Sequence, residues 1–367
     1  MKNKKRNIKG ILVLFLPIQI LLYYIFSLFP NGVEAFYSNG FFSGLSYFLS
    51  SLTNPIPFSL GEVVVYLLFL FLLFSSVHFI RRIIREKLPI RGGLIKATIS
   101  ILSFTSLLYF FIMIMWGINY FRLPYQNLAK YSEEKPSLEE LQSLCKILIA
   151  KCNSLRTLTE EDDFGVFKIS KGHQNALEEA KDGYVYLSKS LPFLKGSYGL
   201  PKKFILPQIW SFFGTGGIYI PFTAEANVNM DQPDPMLPSV ICHEMAHKVG
   251  FAAEDEANFI SFLVCRTHPR KDFQYSGYFM ALNYSLRTLR AADEKAYEEL
   301  RSQLSEKVEK DIKAHRAYWL KYSGVLMEFT SNFYSLFLKA NQQKEGINSY
   351  SQMVNLLIGE MRKNKAL

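Results

Sequence analysis

His243, Glu244 and His247 stand in the string VICHEMAHKVGFAAEDEAN, residues 240–258. On a helix, residues four apart share a face, so both imidazoles can meet one metal ion while Glu244 projects beside it. Imidazole nitrogen is a good zinc ligand. The chemistry this predicts is metal-assisted hydrolysis of a peptide bond: Zn2+ polarises the carbonyl and acidifies water, and Glu244 takes the water proton and passes it to the leaving amine. The flanking Val240, Ile241, Cys242, Met245 and Ala246 are uncharged, as a helix beneath a cleft requires, with Lys248 as the exception. Gly250 falls where the helix can end and reverse. The next helix begins AEDEANFISFL and offers Glu254 as third metal ligand, with Asn258 four residues on to hydrogen-bond a ligand histidine. Glu256, at the same helix start, stays open as the alternative ligand. Tyr275 and Tyr278 follow these helices and are candidate oxyanion or substrate contacts.

The elements that must position these groups read as α+β, mostly α. Ser137–Arg156 is an amphipathic helix with a capping box from Ser137 to Glu140. Further helices are expected at Asn175–Leu191, Pro238–Val249, Glu254–Arg266, Gly277–Ala292, Glu294–Trp319, Met327–Ala340 and Tyr350–Lys363. Strands are expected at Lys203–Leu206, Gly217–Phe222 and Ala226–Met230. The strand GIYIPFT could present an open edge to an extended substrate. The preceding FGTGG lacks the spacing of a phosphate loop and reads as a turn. Asn119–Pro136 reads as a connector.

The first 116 residues are of another kind. Gly10–Phe29, Gly61–Ile80 and Leu94–Trp116 are each long and apolar enough to span a bilayer. Glu62 and Lys96 lie near the starts of their spans, where the interface can hold them. The basic start KNKKR precedes an apolar run too long for a signal-peptide core, with no small-residue cleavage site after it, so the first helix is read as retained. Lys2, Lys4, Lys5, Arg6 and Lys9 precede it, and Arg81, Arg82, Arg85, Lys87 and Arg91 fall between the second and third spans. The loop between the first two spans has no Lys or Arg. This bias puts the N-terminus in the cytoplasm and residues 117–367 outside. Residues 30–60 are expected to lie along the outer interface.

The formal charge of +10 does not indicate nucleic acid. Residues 1–116 hold 11 Lys/Arg against 3 Asp/Glu, whereas residues 117–367 hold 31 against 29. The excess therefore sits beside apolar runs, and the expected partners are the lipid bilayer and a peptide or protein substrate. Cys145, Cys152, Cys242 and Cys265 form no CxxC pair. Cys145 and Cys152 are too far apart on one helix to bridge, while Cys242 and Cys265 could pair or remain free thiols. His78, His173, His268 and His315 are read as structural or surface groups.

HExxH followed by a glutamate-bearing helix resembles the gluzincin metallopeptidases, a zincin-like fold. EDEANF is similar to the ExEAN signature of peptidases related to the phage repressor-cleaving proteins, in which the first Glu is the ligand; that implies Glu254 rather than Glu256. The chain departs from the gluzincin pattern in having Asn258 where many members have Asp, and in the short spacing from His247 to Glu254. A metzincin would need His or Asp at position 253, which is Ala253. GIYIPFTAEANVNMD, CHEMAHKVGFAAEDEANF and YSGYFMALNYSL, after three spans, resemble the bacterial membrane-protein family called domain of unknown function 3810 over nearly the full length. That resemblance implies a bacterial membrane location and a zincin-like domain, and supplies no substrate; with the Lys/Arg bias, the expectation is a multi-pass protein of the bacterial cytoplasmic membrane with that domain extracytoplasmic. A non-catalytic zincin-fold receptor or scaffold is the alternative, against which the intact Glu244 argues. A transporter would need more polar residues inside the spans.

Overall fold

The computed structural model describes residues 2–86, 90–132, 134–196, 198–340 and 350–364. Three apolar helices dominate the N-terminal part: α1 (Lys2–Ser27), α3 (Leu60–Glu86) and α4 (Ile90–Met115), with α2 (Ser43–Thr53) between the first two. The stretches Lys9–Ser27, Leu60–Arg81 and Gly92–Met115 are long and apolar enough to cross a membrane. Helices α1 and α4 pack on each other, with Gln19 donating to Ser106 at 2.9 Å and Tyr23 edge-on to Tyr109. A polar contact inside a span is favoured because hydrocarbon offers no other partner. Lys87 of the basic loop lies outside the described residues.

Residues 30–60 do more than line an interface. A π-helical segment, Val33–Phe42, runs into α2. Ser46, Ser50 and Thr53 on α2 donate to the carbonyls of Lys248, Ala224 and Thr223. Glu62, at the start of α3, is fully buried within the protein. It accepts from the amides of Ile205 and Leu206 and from Trp210 Nε1 at 2.9 Å. The start of α3 is thus tied to the C-terminal part.

That part is built around α5 (Leu138–Arg156), α6 (Gly172–Leu187), α7 (Pro207–Phe212), α8 (Leu237–Lys248), α9 (Glu254–Thr267) and α10 (Lys271–Ala292). Ser137 and Glu140 form the expected capping box on α5. Then follow α11 (Glu294–Arg301), α12 (Glu306–Lys321), α13 (Val325–Ala340) and α14 (Tyr350–Asn364). The single helix expected over Glu294–Trp319 is two, because Ser305 caps a new start by accepting from the Val308 amide. Helices α8, α9 and α10 form the core, where Ile241, Met245, Phe259, Phe262 and Phe279 are inaccessible.

The sheets are small. β1 (Glu160–Glu161) and β2 (Phe167–Lys168) form a two-residue ribbon absent from the sequence reading. β3 (Lys202–Lys203), β4 (Gly217–Ile220) and β5 (Glu225–Val228) form a sheet in the order β3-β5-β4. β5 is parallel to β3 and antiparallel to β4. All three are shorter than the apolar runs suggested, because Pro221 stops β4 and the Ile205 and Leu206 amides leave the ladder for Glu62.

Candidate metal centre

Helix α8 begins with Pro238 in its first turn, where the missing N–H costs no helical bond. Its four-residue spacing brings His243 Nε2 within 3.1 Å of His247 Nε2. Gly250, at φ +92°, makes the reversal that carries the chain into α9. A side chain there would be strained in φ, and its Cβ would lie 3.1 Å from Phe42 and 3.3 Å from Arg122. Arg122 clamps this turn: it donates to the Gly250 carbonyl at 2.9 Å, lies over the Phe251 ring and pairs with both oxygens of Glu34. Glu34 is the lone carboxylate of residues 30–60, so the reversal is held by a residue from between two spans.

The reversal delivers the Glu254 carboxylate against both histidines. Its oxygens are 3.3 Å from His243 Nε2 and 3.4 Å from His247 Nε2. One ligand atom from each of the three residues falls within 4.8 Å of the others, so the group could hold a metal ion. The second nitrogen of His247, Nδ1, lies 2.7 Å from the Phe251 carbonyl. A carbonyl only accepts, so Nδ1 carries a proton and Nε2 is the nitrogen turned toward the cluster. Glu256 points elsewhere: it accepts from the Tyr125 amide at 2.6 Å.

Charges are set by burial and proximity. Burial pushes Glu244 up to about 7; the two histidines and the Tyr219 amide restrain the shift, while Glu254 adds to it. Burial opposes ionisation of Glu254, but His247 and His243 win and hold it well below the usual carboxylate range. His247 is the converse: burial disfavours its cation, yet Glu254 raises it to about 9. Oε2 of Glu244 and Nδ1 of His243 are buried without a hydrogen-bond partner. Buried polar atoms are seldom left so.

Gly217 on β4 lies against Glu244. A Cβ at that position would sit 2.5 Å from Oε1 and 2.6 Å from Cγ, so only glycine leaves the carboxylate room. β4 is an edge strand of the described sheet and runs directly over Glu244. Aromatic groups close the other sides. Trp116 Nε1 donates to the His247 carbonyl at 3.3 Å, with its ring edge-on to the imidazole. Tyr334 of α13 donates its hydroxyl to Glu254. The Tyr120 hydroxyl is buried without a partner, its proton held by burial and by the charge of Glu254.

Several expected roles need correction. Asn258 is not the partner of His247, whose Nδ1 bonds the Phe251 carbonyl, and its Nδ2 is buried with no partner among the described residues. Tyr275 is fully buried and donates to Asp311 at 2.5 Å, so it faces the core and not the cluster. Tyr278 is buried edge-on to Phe262. Lys248 turns away from the cluster and is buried near Glu225 and Lys202, with burial lowering it to about 8. The four cysteines are free and buried. His268 ends α9 stacked on Phe273, its Nε2 at 3.0 Å from the Glu179 carbonyl.

Sequence reasoning missed Glu34, Trp116, Tyr120, Arg122, Gly217 and Tyr334. The isolated Glu34 and the paired glycines before β4 were the only local signals for them.

The profile of the family described as "Protein of unknown function (DUF3810)" matches residues 37–358, and the chain belongs to that family. No curated protein and no solved structure matches the chain.

Proposed function

We propose that this chain is a membrane-anchored, zinc-dependent metallopeptidase that hydrolyses peptide bonds of a peptide or protein substrate outside the bacterial cytoplasmic membrane. The observation that carries the reading is the convergence of His243, His247 and Glu254, with Glu244 beside them beneath an edge strand. Two imidazole nitrogens and one carboxylate are a donor set suited to catalytic zinc, which keeps a further position open. A zinc ion held there would supply Lewis acidity toward a scissile carbonyl and toward water.

The chain's own groups do the rest. Glu244, raised toward neutrality by burial, accepts a proton from attacking water and returns it to the leaving amine. The His247–Phe251 hydrogen bond keeps the imidazole in the ligand tautomer. The free edge of β4 holds an extended peptide by main-chain hydrogen bonds. Tyr120 and Tyr334 replace Tyr275 and Tyr278 as the hydroxyls able to reach an oxyanion. The Lys/Arg asymmetry around the spans supports the outward placement of the site.

The test is metal analysis of the purified full chain, followed by a peptide-library cleavage assay. One zinc per chain is expected, and His243→Ala/His247→Ala should lose it. Full zinc occupancy in that double variant would overturn the site. Protease treatment of intact cells, or of spheroplasts where an outer membrane is present, should remove a C-terminal tag. Protection until the inner membrane is broken would reverse the topology.

A further inference from the structure

Helix α13 divides into three faces at about 100° per residue. Met327, Tyr334, Phe337 and Leu338 turn inward, and Tyr334 reaches Glu254. Glu328, Asn332 and Lys339 form an exposed polar strip. The third face is Val325, Leu326, Phe329, Phe333 and Leu336, all exposed, with Phe329 and Leu336 each 67% accessible. A row of five large apolar side chains open on one helix needs a cover.

The position of the helix says what the cover is. Near its start, Met327 lies against Gly214, in the loop after α7, and α7 carries the Trp210 that bonds Glu62 at the beginning of α3. Near its end, Phe337 meets Tyr120, in the turn that directly follows α4. The beginning of α3 and the end of α4 are on the same side of any bilayer that the three helices cross. Sixteen residues of helix are about 24 Å long. The helix therefore bridges the mouths of two spans, at the level where both meet the headgroups, and is too short to cross the hydrocarbon itself. Beside the start of α3 the apolar surface continues through exposed Ile205, Leu206, Ile209 and Phe212.

We infer that α13 is an interfacial membrane helix. Its Val325–Leu336 face lies on the acyl chains of the bilayer crossed by α1, α3 and α4, its polar strip meets water, and its inner face covers the candidate metal cluster. An apolar face rich in Phe and Leu flanked by charged residues is the composition that seats a helix at a bilayer surface. The inference concerns lipid contact alone and stands whether or not the peptidase reading does. If that reading also holds, the peptide reaches the cluster along the membrane surface.

Single cysteines at Phe329, Phe333 and Leu336 test it, with Glu328→Cys and Lys313→Cys as water-facing controls. The native cysteines are buried, so an environment-sensitive fluorophore goes to the introduced one. The full chain is reconstituted in phosphatidylcholine vesicles, with or without nitroxide-labelled phosphatidylcholine. Blue-shifted emission at Phe329→Cys, Phe333→Cys and Leu336→Cys, quenched by shallow nitroxide lipid and resistant to iodide, is expected; the controls should show the reverse. Iodide quenching at all five positions would overturn the proposal by leaving the face in water. Blue-shifted emission indifferent to nitroxide lipid would also overturn it, by showing a protein cover such as a second copy.

Discussion

Two buried polar clusters share this helical core, and they differ in how completely they are satisfied. Around Asp311, Arg156 donates at 2.7 Å, Tyr275 at 2.5 Å and the Phe167 amide at 2.8 Å, while the Arg156 guanidinium also reaches the Gly165 carbonyl. Around Glu254, the neighbouring His243 Nδ1, Glu244 Oε2, Asn258 Nδ2 and Tyr120 hydroxyl are all buried without partners among the described residues. Orphaned buried groups cost stability, and a fold keeps them where they serve something else. The Asp311 cluster is the kind that holds a structure together. The Glu254 cluster is the one whose side chains could hold a metal ion.

Removing the centre of each cluster should break the comparison in opposite ways. Asp311→Ala removes the buried partner of Arg156 and leaves it only the partly exposed Glu161 at 3.4 Å, so unfolding stability should fall by about 3–5 kcal/mol in denaturant titration. Its zinc content, measured on the folded fraction, should not change. Glu244→Gln keeps shape and removes the base, so hydrolysis should fall about 10²–10⁴-fold with zinc retained and stability unchanged. Wild-type cleavage of a validated substrate by Glu244→Gln would remove the proposed mechanism. Loss of zinc from folded Asp311→Ala would mean that the two clusters are one system.

The tyrosines sharpen the contrast at smaller scale. Tyr334→Phe deletes the hydroxyl that holds Glu254, and changes of that kind next to a ligand typically cost about 10-fold or more in metal affinity. Tyr275→Phe should cost about 1–2 kcal/mol of stability and nothing in metal affinity. Chelator competition and thermal unfolding separate the two. Equal metal affinity in wild type and Tyr334→Phe would show that Glu254 is held without α13.

Neither tyrosine's role was legible, for reasons of sequence distance and helical pitch. His243, Glu244, His247 and Glu254 lie within twelve residues, and helical periodicity with one glycine reversal brings them together. Tyr334 reaches Glu254 from 80 residues away and Trp116 reaches His247 from 131, so no local pattern foretells either. Tyr275 and Tyr278 follow α8 and α9 in sequence, but the pitch of α10 turns both into the core. The three apolar spans and the Ser137 cap were legible because each depends on its own residues. The strands were overextended because β-propensity does not register that Glu62 takes the Ile205 and Leu206 amides. The docking of residues 30–60 on α8 and on the turn between β4 and β5 was also hidden, since Ser46, Ser50 and Thr53 look like ordinary polar residues until their carbonyl partners are known.

The smallest expected effect is the most discriminating between neighbours. Glu254 and Glu256 begin the same helix, both buried, yet one faces the histidines and the other accepts from the Tyr125 amide. Glu254→Gln replaces an anionic ligand by a neutral amide and should weaken zinc markedly. In Glu256→Gln the amide oxygen can still accept from Tyr125, so zinc affinity should stay at the wild-type value, and below the ordinary carboxylate range, where Glu256 is protonated folded and unfolded alike, stability should move by less than about 1 kcal/mol. Burial, and then Asp255, push the Glu256 carboxyl up, so the folded state binds its proton at pH values where the unfolded chain has released it. With more protons on the folded side, stability falls as pH rises above the ordinary carboxylate range. Glu256→Gln cannot titrate and should lose that part of the slope, so its stability relative to wild type should rise with pH. Denaturant midpoints of the two proteins at pH 6 and pH 9 measure the difference. A zinc loss in Glu256→Gln with zinc kept in Glu254→Gln would move the third ligand two residues along the helix.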